Sequence, residues 1–288
     1  MTKLKKISLA LSGGGIRAYA QIGVYRLLKE NNFDIESVSG TSMGSIIASF
    51  IAAGADPNQL EKVMFELERE FQEKQVFLKP SLRVLPMSKQ KLNGFVDADM
   101  FEEMIQRQFD EFNVTNLSDL RKPISITSVD LISGKLVIFT NMPDAFIDQP
   151  DKIIISNASI AEAVRASCSF PIVFSTKRYE HMQLVDGGVK MNLPVTLLKA
   201  MKAKNIVSIT MDGTVNYKAS SKLLDVAFRI IDIMTNANQE SDRLISDFNV
   251  NIDVSKYHTF EAGKGKKIVD QGYQEAKTQL DQILLIFQ

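Results

Sequence analysis

Hydrophobic positions come in short unbroken runs, separated by glycine turns and by longer stretches in which apolar residues recur every three or four positions. The first run, residues 7–11, meets Ser12-Gly13-Gly14-Gly15 and passes into a stretch, about 16–30, where Ile16, Ala20, Val24, Leu27 and Leu28 fall near one helix face. Asn31-Asn32 ends it. A second strand, 35–39, enters Gly40-Thr41-Ser42-Met43-Gly44, and an apolar helix follows as far as Gly54. This alternation predicts an α/β fold with a mainly parallel central sheet flanked by helices. Asp56-Pro57 predicts a capped third helix running towards Glu73.

Residues 74–98 lose periodicity, carry Pro80, Pro86 and Gly94 with a basic excess, and read as a connection or lid. Asp97 then caps a helix over about 98–109, and strands 124–131 and 135–140 flank Ser133-Gly134 as a hairpin or a β-turn pair. Ser159 caps a short helix to Cys168, and a strand over 183–185 leads into Asp186-Gly187-Gly188. A helix over 195–202 precedes a strand over 206–211. The rest reads as a long helix from 221 to about 248, a strand over 250–254, a basic turn at 263–267 and a terminal helix after Gly272.

Composition narrows this picture. A chain of 288 residues, 45% hydrophobic and 24% charged, is long enough for a sizeable core, and one domain over 1–288 is expected. With 34 basic and 34 acidic side chains it has no net field to gather nucleic acid, so no nucleic-acid partner is expected. Contact with a membrane surface would rest on local patches such as Lys177-Arg178 or Lys264, Lys266 and Lys267. One cysteine, Cys168, cannot make an internal disulfide, and two histidines cannot complete the usual zinc set. A cytoplasmic chain without metal or organic cofactor is expected. The twelve methionines read as core, with an acyl channel as the alternative. No segment reaches the roughly 20 apolar residues of a membrane span, and the apolar run after Lys5-Lys6 is short for a secretory signal.

Three loops carry candidate chemistry. Gly13, Gly14 and Gly15 join a strand to a helix, where free amides make an anion site. The spacing also satisfies the dinucleotide pattern G-x-G-x-x-A, yet Asp34 and Glu36 stand at the start of the second strand, whereas a ribose acid belongs at its carboxyl end. Gly40-Thr41-Ser42-Met43-Gly44 matches G-x-S-x-G, a sharp strand-to-helix turn that exposes a serine hydroxyl. The Met43 amide could then serve an oxyanion, while the plain alternative is a turn with a helix cap. Asp186 ends a strand on two glycines, as a β-turn or as the base for Ser42. The order Ser42, Asp186, His258 also follows the α/β-hydrolase triad, although His258 sits in a polar stretch and His181 lies at the other end of the Asp186 strand.

Taken in order, Gly-Gly-Gly-Ile-Arg at 13–17, Gly-Thr-Ser-Met-Gly at 40–44, Ala-Ser-Cys-Ser-Phe-Pro at 166–171, Asp-Gly-Gly at 186–188 and Asn192-Leu193-Pro194 resemble the patatin-like phospholipase family over about 7–211. The resemblance implies a three-layer patatin-like fold, with 212–288 as a mainly helical completion. It implies Ser42 as nucleophile, Asp186 as its partner in a dyad without histidine, and an oxyanion hole lined by Gly13, Gly14, Gly15 and Arg17. It also implies substrates that are phospholipids, lysophospholipids or other fatty acyl esters. Ala18 stands where the family pattern has glycine.

Overall fold

The computed structural model describes residues 4–74, 93–94, 96, 99–212, 223–259 and 261–287. The order begins β1 (Lys5–Leu11), α1 (Ala20–Glu30), β2 (Phe33–Thr41), α2 (Met43–Ala53), α3 (Pro57–Glu73) and α4 (Asp99–Asp110). It continues β3 (Ile124–Asp130), β4 (Leu136–Thr140), β5 (Lys152–Ile155), α5 (Ile160–Ser167), β6 (Lys177–Tyr179), β7 (Met182–Asp186), α6 (Val195–Ala200) and β8 (Ile206–Asp212). Last come α7 (Leu223–Ile245), β9 (Phe248–Asp253), α8 (Gly265–Thr278) and α9 (Leu280–Ile286).

One mixed sheet holds these strands in the order β5-β4-β3-β2-β1-β8-β9. The β1–β2, β1–β8, β2–β3, β4–β5 and β8–β9 pairs are parallel, and β3–β4, β3–β7 and β6–β7 are antiparallel. The centre is covered on both faces: Ile7, Leu9 and Leu11 are buried, and so are the intervening Ser8 and Ala10. Such strands read as continuous apolar runs because helices lie over both sides.

The caps expected at Asp56 and Ser159 hold, and the third, Asp97, lies outside the described residues. Asp56 accepts the Asn58 and Gln59 amides at 2.8 and 2.9 Å while Gln59 reaches back to the Asp56 N–H, and Ser159 and Glu162 form the same box on α5. Two expectations fail near the carboxyl end. Gly265, Lys266 and Lys267 belong to α8 rather than to a turn. Gly272 does not precede the last helix but lies inside α8 against α1, where a Cβ would stand 2.1 Å from the Ala20 carbonyl oxygen. The glycine is there because two helix backbones approach too closely for any side chain. The long helix ends at Ile245, since Phe248 already pairs with Val207 in the sheet. Most of the stretch read as a lid, 75–92 with 95, 97 and 98, lies outside the described residues.

Candidate active site

The meeting of serine and aspartate follows from strand pairing. On one edge of β3, β2 runs parallel and ends with Thr41 opposite Thr127. On that same edge β7 runs antiparallel and ends with Asp186 opposite Ser128, since the other edge is taken by β4. Two strands thus arrive head to head at adjacent positions, and the residue after Thr41 faces Asp186. The Thr41 and Thr127 hydroxyls, 2.7 Å apart, tie the junction.

Ser42 sits at φ 55°, ψ −131°, in the positive-φ region that costs a non-glycine residue on the order of 1–3 kcal/mol. The flanking glycines make the turn feasible, because a Cβ on Gly40 would lie 2.5 Å from the Gly44 carbonyl oxygen. The Ser42 N–H donates to the Ser167 hydroxyl at 2.9 Å, and its carbonyl accepts the Ser45 N–H and hydroxyl at 2.8 and 2.6 Å. Its own hydroxyl makes no capping bond to α2. The helix-cap reading of Ser42 therefore fails, and the Oγ remains open to the cavity.

Asp186 is 2% exposed. Its Oδ1 accepts the Gly188 N–H at 2.8 Å, and its own N–H donates to the Ser169 carbonyl at 3.1 Å. Burial pushes its pKa up to about 6, against the lowering effects of the Ser42 hydroxyl and the Gly188 amide. Oδ2 is buried without a partner in full hydrogen-bond geometry. The serine is thus near enough to favour the carboxylate yet not locked to it. A carboxylate of raised pKa, with a free oxygen beside a serine hydroxyl, is equipped to take a proton.

The glycine loop faces this pair. The Gly13 amide is already engaged with the Asn192 carbonyl at 3.2 Å, which corrects its placement among the free oxyanion donors. Among the described residues no acceptor takes the amides of Gly14, Gly15 or Met43. Arg17 is buried, with its Nε–H directed at the Gly14 carbonyl and its Nη2 at Asp232 Oδ1, each at 3.4 Å. Its guanidinium ties the loop to Asp232.

Residues that the sequence reading left without a role complete this support. Asn192 donates from Nδ2 to Gln239 Oε1 at 3.1 Å, and its Oδ1 lies 2.6 Å from where a Gly13 Cβ would stand. Asp232 and Gln239 both come from α7. The Thr259 carbonyl accepts the Ile16 N–H at 3.0 Å. Positions 232, 235, 236 and 239 share one face of α7, but the many other polar residues of that helix leave this face without a distinct sequence signal.

Gly13, Gly14, Gly15, Arg17, Ser42, Met43 and Asp186 all border one cavity of about 550 Å³. Its far walls are apolar, with Ile46, Met64, Leu67, Phe71, Phe101 and Phe174. His258 stands exposed at its rim, and its backbone N–H donates to Glu261 Oε2. His181 is exposed at the β6–β7 turn, at the opposite end of β7 from Asp186. Asp34 and Glu36 pair with Lys29, Lys122 and Lys6 in the first half of β2, away from the glycine loop, which leaves a dinucleotide without its ribose contact.

A family model for patatin-like phospholipases matches residues 9–199. The uncharacterized protein YqhO of Bacillus subtilis is 28% identical over 206 residues, which are 69% of this chain and 69% of that protein. An uncharacterized NTE family protein of Mycobacterium tuberculosis is 26% identical over 209 residues, 73% of this chain and 50% of that protein. Among solved structures, VipD from Legionella pneumophila aligns with 97% of this chain and 67% of its own at a TM-score of 0.52 and 14% identity. The ExoU–SpcU complex from the type III secretion system of Pseudomonas aeruginosa aligns with 98% of this chain and 52% of its own, at 0.50 and 15%. At these identities the structural likeness speaks to the fold alone. The family match includes the glycine loop, the elbow and Asp186, and ends before α7.

Proposed function

This chain belongs to the patatin-like phospholipase family, and from that premise we propose that it is a lipid acyl hydrolase in which Ser42 and Asp186 form a nucleophile–base dyad. The observation that carries the reading is a strained elbow serine beside a buried aspartate whose pKa is pushed up to about 6. The proposed substrates, by family, are fatty acyl esters of phospholipids or lysophospholipids. The apolar walls of the cavity suit an acyl chain.

Asp186 takes the hydroxyl proton as Ser42 Oγ bonds to the ester carbon, and the carbonyl electron pair moves onto oxygen. The amides of Gly14, Gly15 and Met43 meet that oxyanion, with the start of α2 adding its dipole. Collapse breaks the ester bond, and the alcohol or lysolipid leaves with the proton from Asp186. Asp186 then takes a proton from water, whose oxygen attacks the acyl-Ser42 carbon, and the fatty acid departs as Ser42 is reprotonated.

A triad with His258 would place imidazole between serine and acid, with the acid touching the histidine. Here Asp186 responds to the Ser42 hydroxyl itself, and no histidine contributes to its pKa. We also take 1–288 as one acyl hydrolase domain, because β9 extends the sheet and α7 borders the cavity. Incubation with an alkyl fluorophosphonate and peptide mapping tests the dyad. The expected adduct is on Ser42, absent from Ser42→Ala and formed at least about a hundredfold more slowly in Asp186→Asn. An adduct on another residue, or none, removes Ser42 as nucleophile.

A further inference from the structure

Helix α7 is built the wrong way round for a helix on a water-soluble surface. Such a helix buries its apolar stripe and exposes its polar one. On α7 the most buried described side chains are Gln239 and Asp242, while Val226, Ile230, Ile233 and Met234 are 37%, 52%, 52% and 48% exposed. Positions 226, 230, 233 and 234 follow the i, i+4, i+7, i+8 spacing of one face, and Leu244 and Ile245 are exposed at the end of the helix, beyond the polar Glu240 and Ser241. The inward polar face is satisfied by the protein. Asp232 pairs with Arg17 and Arg229, Gln239 accepts from Asn192, and Asp242 accepts the Thr196 amide at 2.8 Å.

This outward stripe adjoins the mouth of the candidate site. Arg229, Asp232, Thr235, Asn236 and Gln239 border the cavity from the other side of the same helix. A shallow apolar groove containing Leu131, Ile172, Ile231 and Met234 shares Phe174 and Thr235 with that cavity. Leu131 and Ile132, at the β3–β4 turn, are 52% and 70% exposed. One continuous apolar surface therefore leads from open solvent to the cavity entrance. The 23 residues of α7 span about 34 Å, long enough to lie along an interface, and no helix among the described residues is long and apolar enough to cross one.

We propose that the outer face of α7, with Leu131 and Ile132, is the surface that seats this protein on a lipid aggregate and aligns the cavity mouth with the acyl esters in it. The occupant is a lipid surface, because the patch is continuous with an entrance that, on the lipid acyl hydrolase reading from which this inference proceeds, must receive amphiphiles from an aggregate. Burial of isoleucine side chains in the interface supplies the attraction.

The test compares wild type with Ile230→Asn/Ile233→Asn, whose two side chains are exposed and outside the cavity lining. Co-sedimentation with phosphatidylcholine vesicles, hydrolysis of those vesicles, hydrolysis of a soluble short-chain ester and sedimentation equilibrium are measured on both. The expected result is vesicle binding and vesicle hydrolysis lowered at least about tenfold, with soluble-ester turnover within about twofold. Equal vesicle binding by both proteins overturns the proposal, as does failure of the wild type to bind. Equal loss on vesicles and on the soluble ester overturns it too, because the stripe then acts through the catalytic groups. A wild-type dimer that the variant converts to monomer makes a second copy the occupant. Wild type that binds vesicles in an Ile230- and Ile233-dependent way, yet hydrolyses neither ester, sustains the docking surface and refutes the acyl hydrolase reading.

Discussion

Replacing Asp186 by asparagine should destroy the proposed activity and make the folded protein more stable at neutral pH. The carboxyl is buried, its pKa is pushed from 3.8 to about 6, and burial is the largest cause. Between about pH 4 and pH 6 the folded protein holds a proton that the unfolded chain has released. Wild-type stability therefore falls as pH rises through that window and stays lower above it. A displacement of about two pH units corresponds to about 3 kcal/mol at 1.36 kcal/mol per unit, which is an upper limit on the gain from removing the charge. Asparagine keeps an oxygen for the Gly188 N–H, but its added amide N–H groups need partners beside Ser42 in a buried site, which offsets part of that gain. The pH dependence is the firmer signature. Thermal unfolding at pH 4 and pH 8 should show the melting temperature of Asp186→Asn, relative to wild type, several degrees higher at pH 8 than at pH 4. A difference between the two proteins that is the same at both pH values, or larger at pH 4, would refute a strained ionised Asp186. Retained esterase activity in the variant would remove Asp186 as base.

Three further outcomes follow from the same geometry. On a soluble ester, kcat/KM should rise about tenfold per pH unit up to about pH 6 and level off above it, since Asp186 must be ionised to accept the Ser42 proton; an inflection near pH 4 would place the carboxyl in an ordinary environment. Ser167→Ala, which removes the acceptor for the Ser42 N–H, should slow fluorophosphonate labelling at Ser42 by about tenfold to a hundredfold with KM little changed, whereas unaltered labelling would show that the elbow holds its positive φ unaided. His258→Ala and His181→Ala should keep turnover within a few-fold of wild type, and inactivity of folded His258→Ala to the level of Ser42→Ala would establish the triad instead.

The parts of the site legible in the sequence are those whose chemistry is local. A strand running into Gly40-Thr41-Ser42-Met43-Gly44 forces a sharp turn because Gly40 and Gly44 are in contact within five residues, and the Asp56 and Ser159 caps are closed by residues three positions away. What brings Ser42 to Asp186 is not local. It depends on β7 choosing the antiparallel half-edge of β3 that β2 leaves empty beyond Thr127, a pairing between positions 58 residues apart in the case of Ser128 and Asp186. Glycine shows the limit in its plainest form. The sequence pattern places Gly272 ahead of the last helix, yet its reason for being there is the backbone of α1 some 250 residues earlier. The same limit conceals α7. Read alone, its apolar stripe predicts the buried face, and only the partners of Asp232, Gln239 and Asp242 reveal that the polar face is the one turned inward. Beyond the end of the family match at residue 199, the chain supports the glycine loop through single pairs such as Gln239 with Asn192 and Asp232 with Arg17. Each pair is one hydrogen bond between distant positions, without the spacing that makes a motif. Catalytic chemistry is thus carried by short patterns, and the geometry around it by long-range partners that no short pattern contains.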